Sequence, residues 1–434
     1  MVKKIVQPGA LARGFRLGKL GLTLSGSYLG YQAQNLWLGE EQRAERQQRF
    51  QQKASRRVRQ ELQSLKGAAM KLGQIFSLQT HALSEDAIKE LATLQMHAPA
   101  MHASLARAQF KSSFGKYPEE KFREFDSEPF AAASLGQVHR AITKSGEKVA
   151  VKIQYPAIRA SIESDFKLLR SATFPSRLTG HTPTALFDEI ERGFLEETDY
   201  LHEGKNLDFF GAGLSSFHYL TIPRVHWDLT TDRVLTMSFV EGLTMSAFLK
   251  TKPSQAIRDS IGSHLVELYY FQLHKLKTVH ADHHPGNYLF QEDGRIGLVD
   301  FGCVKRIAFD ATDLINCVVA RTWRDSENAA RHALGLVFGR DIPYRRARKT
   351  LPMLEEMAEI LHPEGVQSTV NFGNAKMLHT LGGAMGVILR DKLANPEFAF
   401  ISRADLGLYS LLHQLRAHVN CKEIWRRVSD FERG

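Results

Sequence analysis

The sequence predicts an α+β chain of two lobes, a small mainly β lobe followed by a large helical one, with a helical extension ahead of both. Three observations predict it. Residues 130–153 alternate apolar and polar positions across a Lys-Ser-Gly turn, the period of a strand hairpin. Long stretches before and after carry apolar residues at helical spacing. The 434 residues suffice for two or three compact units with a sizeable core. The expected boundaries are a basic segment over 1–58, a helical extension over 59–118, the strand-rich lobe over 119–240 and the helical lobe over 241–434.

Charge is concentrated at the start. Residues 1–66 hold 13 Lys and Arg against four Glu, nearly all of the chain's net +10. A basic extension on a near-neutral body suits an anionic partner such as a membrane surface. Nucleic acid is not expected, because no recognition module or aromatic interleaving accompanies the charge. Leu20 to Gly39 carries no charge, yet Thr23, Ser25, Ser27, Gln32, Gln34, Asn35 and four glycines keep it weakly apolar. A peripheral or protein-packed segment is expected there rather than a membrane span. No secretory signal is recognisable, and the three cysteines (Cys303, Cys317, Cys421) form neither a disulfide framework nor a zinc spacing, so a cytoplasmic, reducing location is expected.

Taken in order, Glu40 to about Gln79 reads as helix, with Lys71 and Gln74 three apart on one face and Gly73 between them. Ser84 followed by Glu85 and Asp86 reads as an N-cap. Ser104 to Phe114 fits another helix. Gln137 to Ile142 and Val149 to Ile153 then form the hairpin, preceded by the small residues Ala131, Ala132, Ala133, Ser134 and Gly136. Residues 157–170 read as a short helix, and Ala185 to Phe210 as one long acidic helix. Tyr219–Val225 and Arg233–Phe239 read as strands, the second hinge-like, able to offer backbone groups around Met237 and Phe239 to an adenine edge. Gln255 to Val279 reads as a helix running straight into His280, and Ile296 to Val299 as a short buried strand. Everything past residue 305 reads as helices, the clearest over Asp310–Arg321, Ala375–Leu389 and Ala404–Val419. Tyr344–Leu361 is helical in pattern, with Pro352 kinking it or marking a new start.

The chemistry concentrates in HADHHPGNYLFQEDGRIGLVDFG, His280 to Gly302. Asp282, Asn287 five residues on, and Asp300 at a strand end have the spacing of a protein-kinase-like phosphoryl-transfer site. There the first aspartate faces the attacking group, while the asparagine and the second aspartate hold the metal on the nucleotide phosphates. Lys152, ending VAVK, fits the strand lysine that reaches those phosphates. It needs a carboxylate to hold it extended, and the acidic helix offers Glu197 and Glu203. Six residues apart, these do not share a face, so they can serve different lysines, Lys71 being the obvious second. Alanines in place of a Gly-rich loop leave less room for backbone amides around phosphates. A metal-hydrolase reading of His280, His283 and His284 with Asp282 lacks helical i,i+4 spacing and a separated third ligand.

With KLGQ, AAASLGQVH, VAVK, EETD and HADHHPGN…DFG in this order, the chain resembles the UbiB/AarF family of atypical kinase-like proteins. The resemblance covers roughly Arg59 to Ile307. It implies a bilobal protein-kinase-like fold with an N-terminal extension packed over the active site and blocking protein substrates. It also implies ATP with Mg2+ or Mn2+ as cofactors, and a role in making or handling isoprenoid quinones. Position by position, Lys71 and Gln74 would be the extension's signature pair, Lys71 meeting Glu197 of the E-x-D motif that Asp199 completes. Lys152 would pair with Glu203, Asp282 would be catalytic, and Asn287 and Asp300 would bind metal. Ala131 to Gly136 would cover the nucleotide, with Val138 and Ala150 beside it. Ala281 replaces the arginine of H-R-D and no A-P-E follows the second aspartate, so a phosphorylation-switched activation loop is not expected.

The expected function is an ATPase or a small-molecule or lipid kinase supporting ubiquinone biosynthesis or lipid handling, attached peripherally to a membrane. Its expected partners are ATP, an anionic membrane surface or an isoprenoid lipid, and quinone-biosynthesis proteins, with a homodimer left open. The alternatives are a nucleotide-gated lipid-binding or assembly protein with little turnover and, behind it, a conventional protein kinase.

Overall fold

The computed structural model describes residues 101–133, 135–172, 191–193, 195–308, 310–338, 343–364, 369–377, 380–383 and 395–430. The first half begins with helix α1 (Ala103–Phe114) and strands β1 (Phe122–Phe125), β2 (Ala131–Ala133), β3 (Gly136–Thr143) and β4 (Lys148–Gln154). Helices α2 (Ile158–Ala172) and α3 (Tyr200–Gly213) follow, then strands β5 (Leu220–Thr221) and β6 (Val234–Ser238) and helix α4 (Gln255–Phe271). Four short strands come next: β7 (Thr278–His280), β8 (Tyr288–Phe290), β9 (Ile296–Leu298) and β10 (Val304–Arg306). The rest comprises helices α5 (Ala311–Ala320), α6 (Glu327–Phe338) and α7 (Leu351–Leu361), strand β11 (Val370–Asn371), helix α8 (Pro396–Leu415), strand β12 (His418–Val419) and helix α9 (Cys421–Asp430). Contacts divide the chain into two compact units, Met1–His202 with His226–Met237, and Glu203–Val225 with Ser238–Gly434.

The first unit is built on a sheet of strand order β1-β3-β4-β6, with β2 also paired to β3. Its hairpin has Val138 opposite Lys152 and Ala141 opposite Val149. In KVAVKIQ the odd positions Val149, Val151 and Ile153 turn to one face, where they join Phe110 and Ala106 of α1, Phe122 and Val234 in a core. The alternation places Ala150 and Lys152 on the opposite face. That face is closed as well, since every residue from Val149 to Gln154 is buried. A period-two pattern read as one covered face therefore understates this strand.

In the second unit a three-stranded sheet runs β5-β9-β8, β5 parallel and β8 antiparallel to β9. β7 pairs antiparallel with β10. α4 packs against α8, α9 and β12. A separate core joins α5, α6, α7 and the first turn of α8 through Leu314, Trp323, Leu334, Val337, Leu354 and Phe398. Among the described residues no helix is long and apolar enough to cross a membrane.

Several expected boundaries move. The acidic stretch is not one helix: Glu197 to Asp199 form a turn, and α3 starts afresh at Tyr200. The Thr198 hydroxyl donates back to the Leu195 carbonyl at 2.6 Å, while the Asp199 carboxylate accepts from the N–H groups of Leu201 and His202. These local bonds end one helix and cap the next. Helix α4 stops at Phe271, and a π-helical turn over Gln272–Leu276 leads through Lys277, in left-handed backbone, into β7. The strands expected over 219–225 and 233–239 shorten to β5 and β6. The region past residue 305 is not wholly helical, because β10 and the β11–β12 pair occur there. Helix α8 starts eight residues before Ala404 and ends at Leu415, where Arg416 turns left-handed. Pro352 marks a new start, at the beginning of α7. Of the helix expected over Ala375–Leu389, 375–377 and 380–383 are helical and the remainder lies outside the described residues, as do residues 1–100.

Candidate active site

Two strand pairs of the second unit hold the HADHHPGN and DFG stretches side by side. His280 lies opposite Val304 in the β7–β10 ladder, and the next N–H, of Ala281, donates to the Cys303 carbonyl at 2.9 Å. Tyr288 lies opposite Leu298 in the β8–β9 ladder, and the Val299 N–H donates to the Asn287 carbonyl at 3.0 Å. Asp282 and Asn287 therefore sit on a loop pinned at both ends to the strand ends that flank Asp300. Asn287 closes the loop by donating from Nδ2 to the Asp282 carbonyl at 2.9 Å and to its Oδ2 at 3.2 Å. That spends the amide's donor end and leaves Oδ1 as an acceptor. Asp300 Oδ1 accepts from the Gly302 N–H at 3.1 Å, which orients its carboxylate. Both aspartates are half-buried.

The support beneath is buried and uncharged. His280, fully buried, donates from Nε2 to the Asp300 carbonyl at 2.9 Å, and its own N–H donates to Gln272 Oε1 at 2.8 Å. His283 Nδ1 and the Tyr288 hydroxyl share a 2.6 Å hydrogen bond. Burial, with a smaller push from His280, drives the His283 pKa from 6.5 down to about 3. Burial also lowers His280, against the opposing pull of Asp282 and Asp300. Burial raises Tyr288 well above its usual range. All three rings are therefore neutral at pH 7. Phe301 is fully buried against Phe210 and His280, its ring centres 5.0 and 5.4 Å from theirs. Its backbone is read from α3, where Asn206 Nδ2 donates to the Phe301 carbonyl at 3.0 Å and Glu203 Oε1 accepts the Phe301 N–H at 3.4 Å.

In the first unit, Lys152 is buried with Nζ 5.1 Å over the ring of Tyr200. Val138 faces it across the hairpin, and Ala131 pairs with Val138 on the other side. Ala131, Val138 and Lys152 thus form one row across three strands, with Ala150 on the same face of β4. Ala132 pairs with Gln137, and Ala133 pairs with Gly136. At Gly136 an added Cβ would stand 2.3 Å from the Ile153 carbonyl oxygen, so only glycine allows this approach of β3 to β4. Met237 is buried in β6, and Phe239 follows just past the strand, half-buried.

Geometry thus joins Asp282, Asn287, Asp300 and Glu203 within the second unit. It joins the alanine hairpin, Val138, Ala150 and Lys152 within the first. Asp199 is a helix cap, and Glu197 lies in the turn before it. Lys71, Gln74 and Ser134 fall outside the described residues, and with them the Lys71–Glu197 pair. His280, His283 and His284 do not converge with Asp282 on a common point among the described residues. The hydrogen-bonding roles of Gln272, Asn206 and Tyr288 were not legible. The only hint was a cluster of histidines in an otherwise apolar approach, which gives no partner.

A profile of the ABC1 atypical kinase-like domain matches residues 93–333. The chain is 30% identical over 284 residues to Protein ACTIVITY OF BC1 COMPLEX KINASE 7, chloroplastic, of Arabidopsis thaliana, covering 64% of this chain and 41% of that protein. It is 26% identical over 383 residues to Atypical kinase coq-8, mitochondrial, of Caenorhabditis elegans, covering 84% of this chain and 49% of that one. The matches span less than half the length of either relative. Among solved structures, the complex of Rv3197 with erythromycin from Mycobacterium tuberculosis matches with a TM-score of 0.61 at 25% identity, over 89% of this chain and 98% of that one. The α+β fold is kinase-like. The matched domain takes in more than half of the sequence, and the chain belongs to the ABC1 atypical kinase-like family, that of the UbiB/AarF proteins.

Proposed function

We propose that the chain uses ATP, as an ATPase or as a kinase of a small molecule or lipid, beside a membrane and in support of isoprenoid quinone metabolism. The observation that carries this is that Asn287 is bonded through its side chain to Asp282 and through its carbonyl to the N–H of Val299, the residue before Asp300. In this reading Asp282 orients the attacking hydroxyl or water and takes its proton. Asn287 Oδ1 and the Asp300 carboxylate are oxygen donors of the kind that Mg2+ or Mn2+ takes. The ion, when bound, offsets charge on the phosphate oxygens. By the family's motifs Lys152 takes the role of the phosphate-contacting lysine and Glu203 that of its carboxylate, and Glu203 Oε1 accepts the Phe301 N–H of the DFG turn. The alanine hairpin covers the nucleotide, and Met237 and Phe239 lie beside the base. The lipid context rests on the UbiB/AarF motifs and on the basic first 66 residues, which suit peripheral attachment to an anionic surface.

The test is ATP hydrolysis by the purified chain with Mg2+ on anionic liposomes, with and without quinone lipid. Asp300→Asn is expected to lose turnover by roughly a hundredfold or more. Equal rates for the two proteins would end the enzymatic reading. If Asp282→Asn still binds nucleotide and sustains quinone content in cells, the chain acts as a nucleotide-gated binding protein instead.

A further inference from the structure

The helical part of the second unit brings together three side chains that the phosphoryl-transfer site does not use. Asp313 and Cys317 lie four residues apart on α5 and so share a face. His332 lies on α6, which packs against α5. His332 Nε2 and Asp313 Oδ2 are 2.5 Å apart, and a carboxylate oxygen, the sulfur and an imidazole nitrogen all lie within 4.8 Å of one another. Ligand atoms around a tetrahedral zinc, at bond lengths of about 2.0–2.3 Å, stand roughly 3.3–3.8 Å apart. Small side-chain rotations would therefore let the three share one ion.

We propose that Asp313, Cys317 and His332 form a binding site for a thiophilic divalent cation, Zn2+ foremost, that staples α5 to α6. The donor set decides the metal. A thiolate with an imidazole selects zinc-like ions, whereas Mg2+ and Ca2+ prefer all-oxygen sets. The placement decides the entry path. The cysteine is 3% exposed and forms the inner wall, while Asp313 and His332 open outward to solvent. The Thr322 hydroxyl sits beside the sulfur and has no other hydrogen-bond partner, so the fourth position falls to it or to water. Burial raises the Cys317 thiol above its ordinary range, so without metal it stays protonated. On binding, the S–H bond breaks, the sulfur's electron pair goes to the metal and one proton is released to solvent. An interhelical Asp313–His332 ion pair over a core thiol is the competing account, and it predicts no response to metal.

The test uses the full chain, stripped of metal and titrated with Co2+ as a coloured stand-in for Zn2+. A thiolate-to-cobalt charge-transfer band is expected. It should persist in Asp300→Asn and in Cys303→Ser, which separates this site from the phosphoryl-transfer site, and vanish in Cys317→Ser. Zn2+ at a hundredfold excess over its Kd should raise Tm on the order of 5 °C in the wild type. In His332→Ala, an exposed change that leaves the core intact, most of that rise should disappear. Absence of the band in folded wild type, its survival in Cys317→Ser, or an equal Zn2+ response in wild type and His332→Ala would each overturn the proposal.

Discussion

Two buried polar clusters of the second unit are built on opposite plans. Beneath Asp282 and Asp300 the support consists of neutral rings, His280, His283 and Tyr288, joined by hydrogen bonds and carrying no net charge. Among α5, α6 and α7 the support is ionic. Arg321, its side chain 4% exposed, meets Glu355 at 3.2 Å and Glu364 at 3.3 Å and donates to the His362 carbonyl at 3.1 Å. Arg324 and the Trp323 indole N–H converge on the same Glu355. Where charges serve only to hold helices, they cancel one another. Where, on the proposed reading, carboxylates meet a cation from outside, a protonated histidine below would cancel their field, and burial prevents it. The same physics, desolvation, is used in one place to force pairing and in the other to forbid charge.

The contrast can be broken most sharply by exchanging readouts. Glu355→Ala leaves the buried guanidinium with only the exposed Glu364 and one carbonyl, and should destabilise the fold by about 3 kcal/mol in urea titrations. Turnover per folded molecule should stay unchanged. Asp300→Asn should do the reverse, losing turnover while keeping its unfolding midpoint. If both variants lose both properties together, the two clusters are not separate in function.

A second test is pH. The unfolded chain protonates His283 below about pH 6.5, whereas the folded chain holds it neutral down to about 3. Stability is therefore fully present above 6.5 and falls as pH drops through that window, by up to about 1.4 kcal/mol per pH unit for this ring. His362, pushed down to about 4 by burial and then by Arg321, adds the same slope above pH 4. Unfolding midpoints measured from pH 7 to pH 4 should fall less steeply in His283→Phe than in the wild type. Parallel curves would mean that the ring is not buried neutral.

The smallest expected effect concerns the turn before α3. Asp199→Ala should cost about 1 kcal/mol through the lost cap, and Asp199→Asn almost nothing, because asparagine caps equally well. A matching loss in both would assign the carboxylate a role in charge rather than in capping.

The ordered motifs made the kinase-like family and fold readable, and the hairpin ending in VAVK was legible to within one residue at each strand end, whereas Ala131–Ala133, expected as part of a loop, form strand β2. What stayed hidden depended on contacts distant in sequence or on single local bonds. Nothing in EETDY signals that Thr198 and Asp199 turn their side chains onto the backbone instead of letting a helix pass. The apolar stripe through Gln255–Val279 is genuine helical spacing as far as Phe271. It cannot reveal that Gln272 turns inward to receive the His280 N–H eight residues on. The buried state of the histidines follows from the walls around them, and those walls include Phe301 and Tyr269 from other elements.

The π-helical turn at Gln272–Leu276 makes the chain before the site a counter. It holds one residue more than an α-helical turn would, and β7 begins only two residues after it. Strand faces alternate, so a single-residue deletion here would point His280 away from the Asp300 carbonyl, while the two loops would still hold the same side chains. Homologues and designed variants that keep Gln272 should therefore tolerate substitutions at the less buried positions of this turn, such as Lys275, far better than changes in its length. An alignment gap at that point would be a sharper sign of a lost site than most replacements within it.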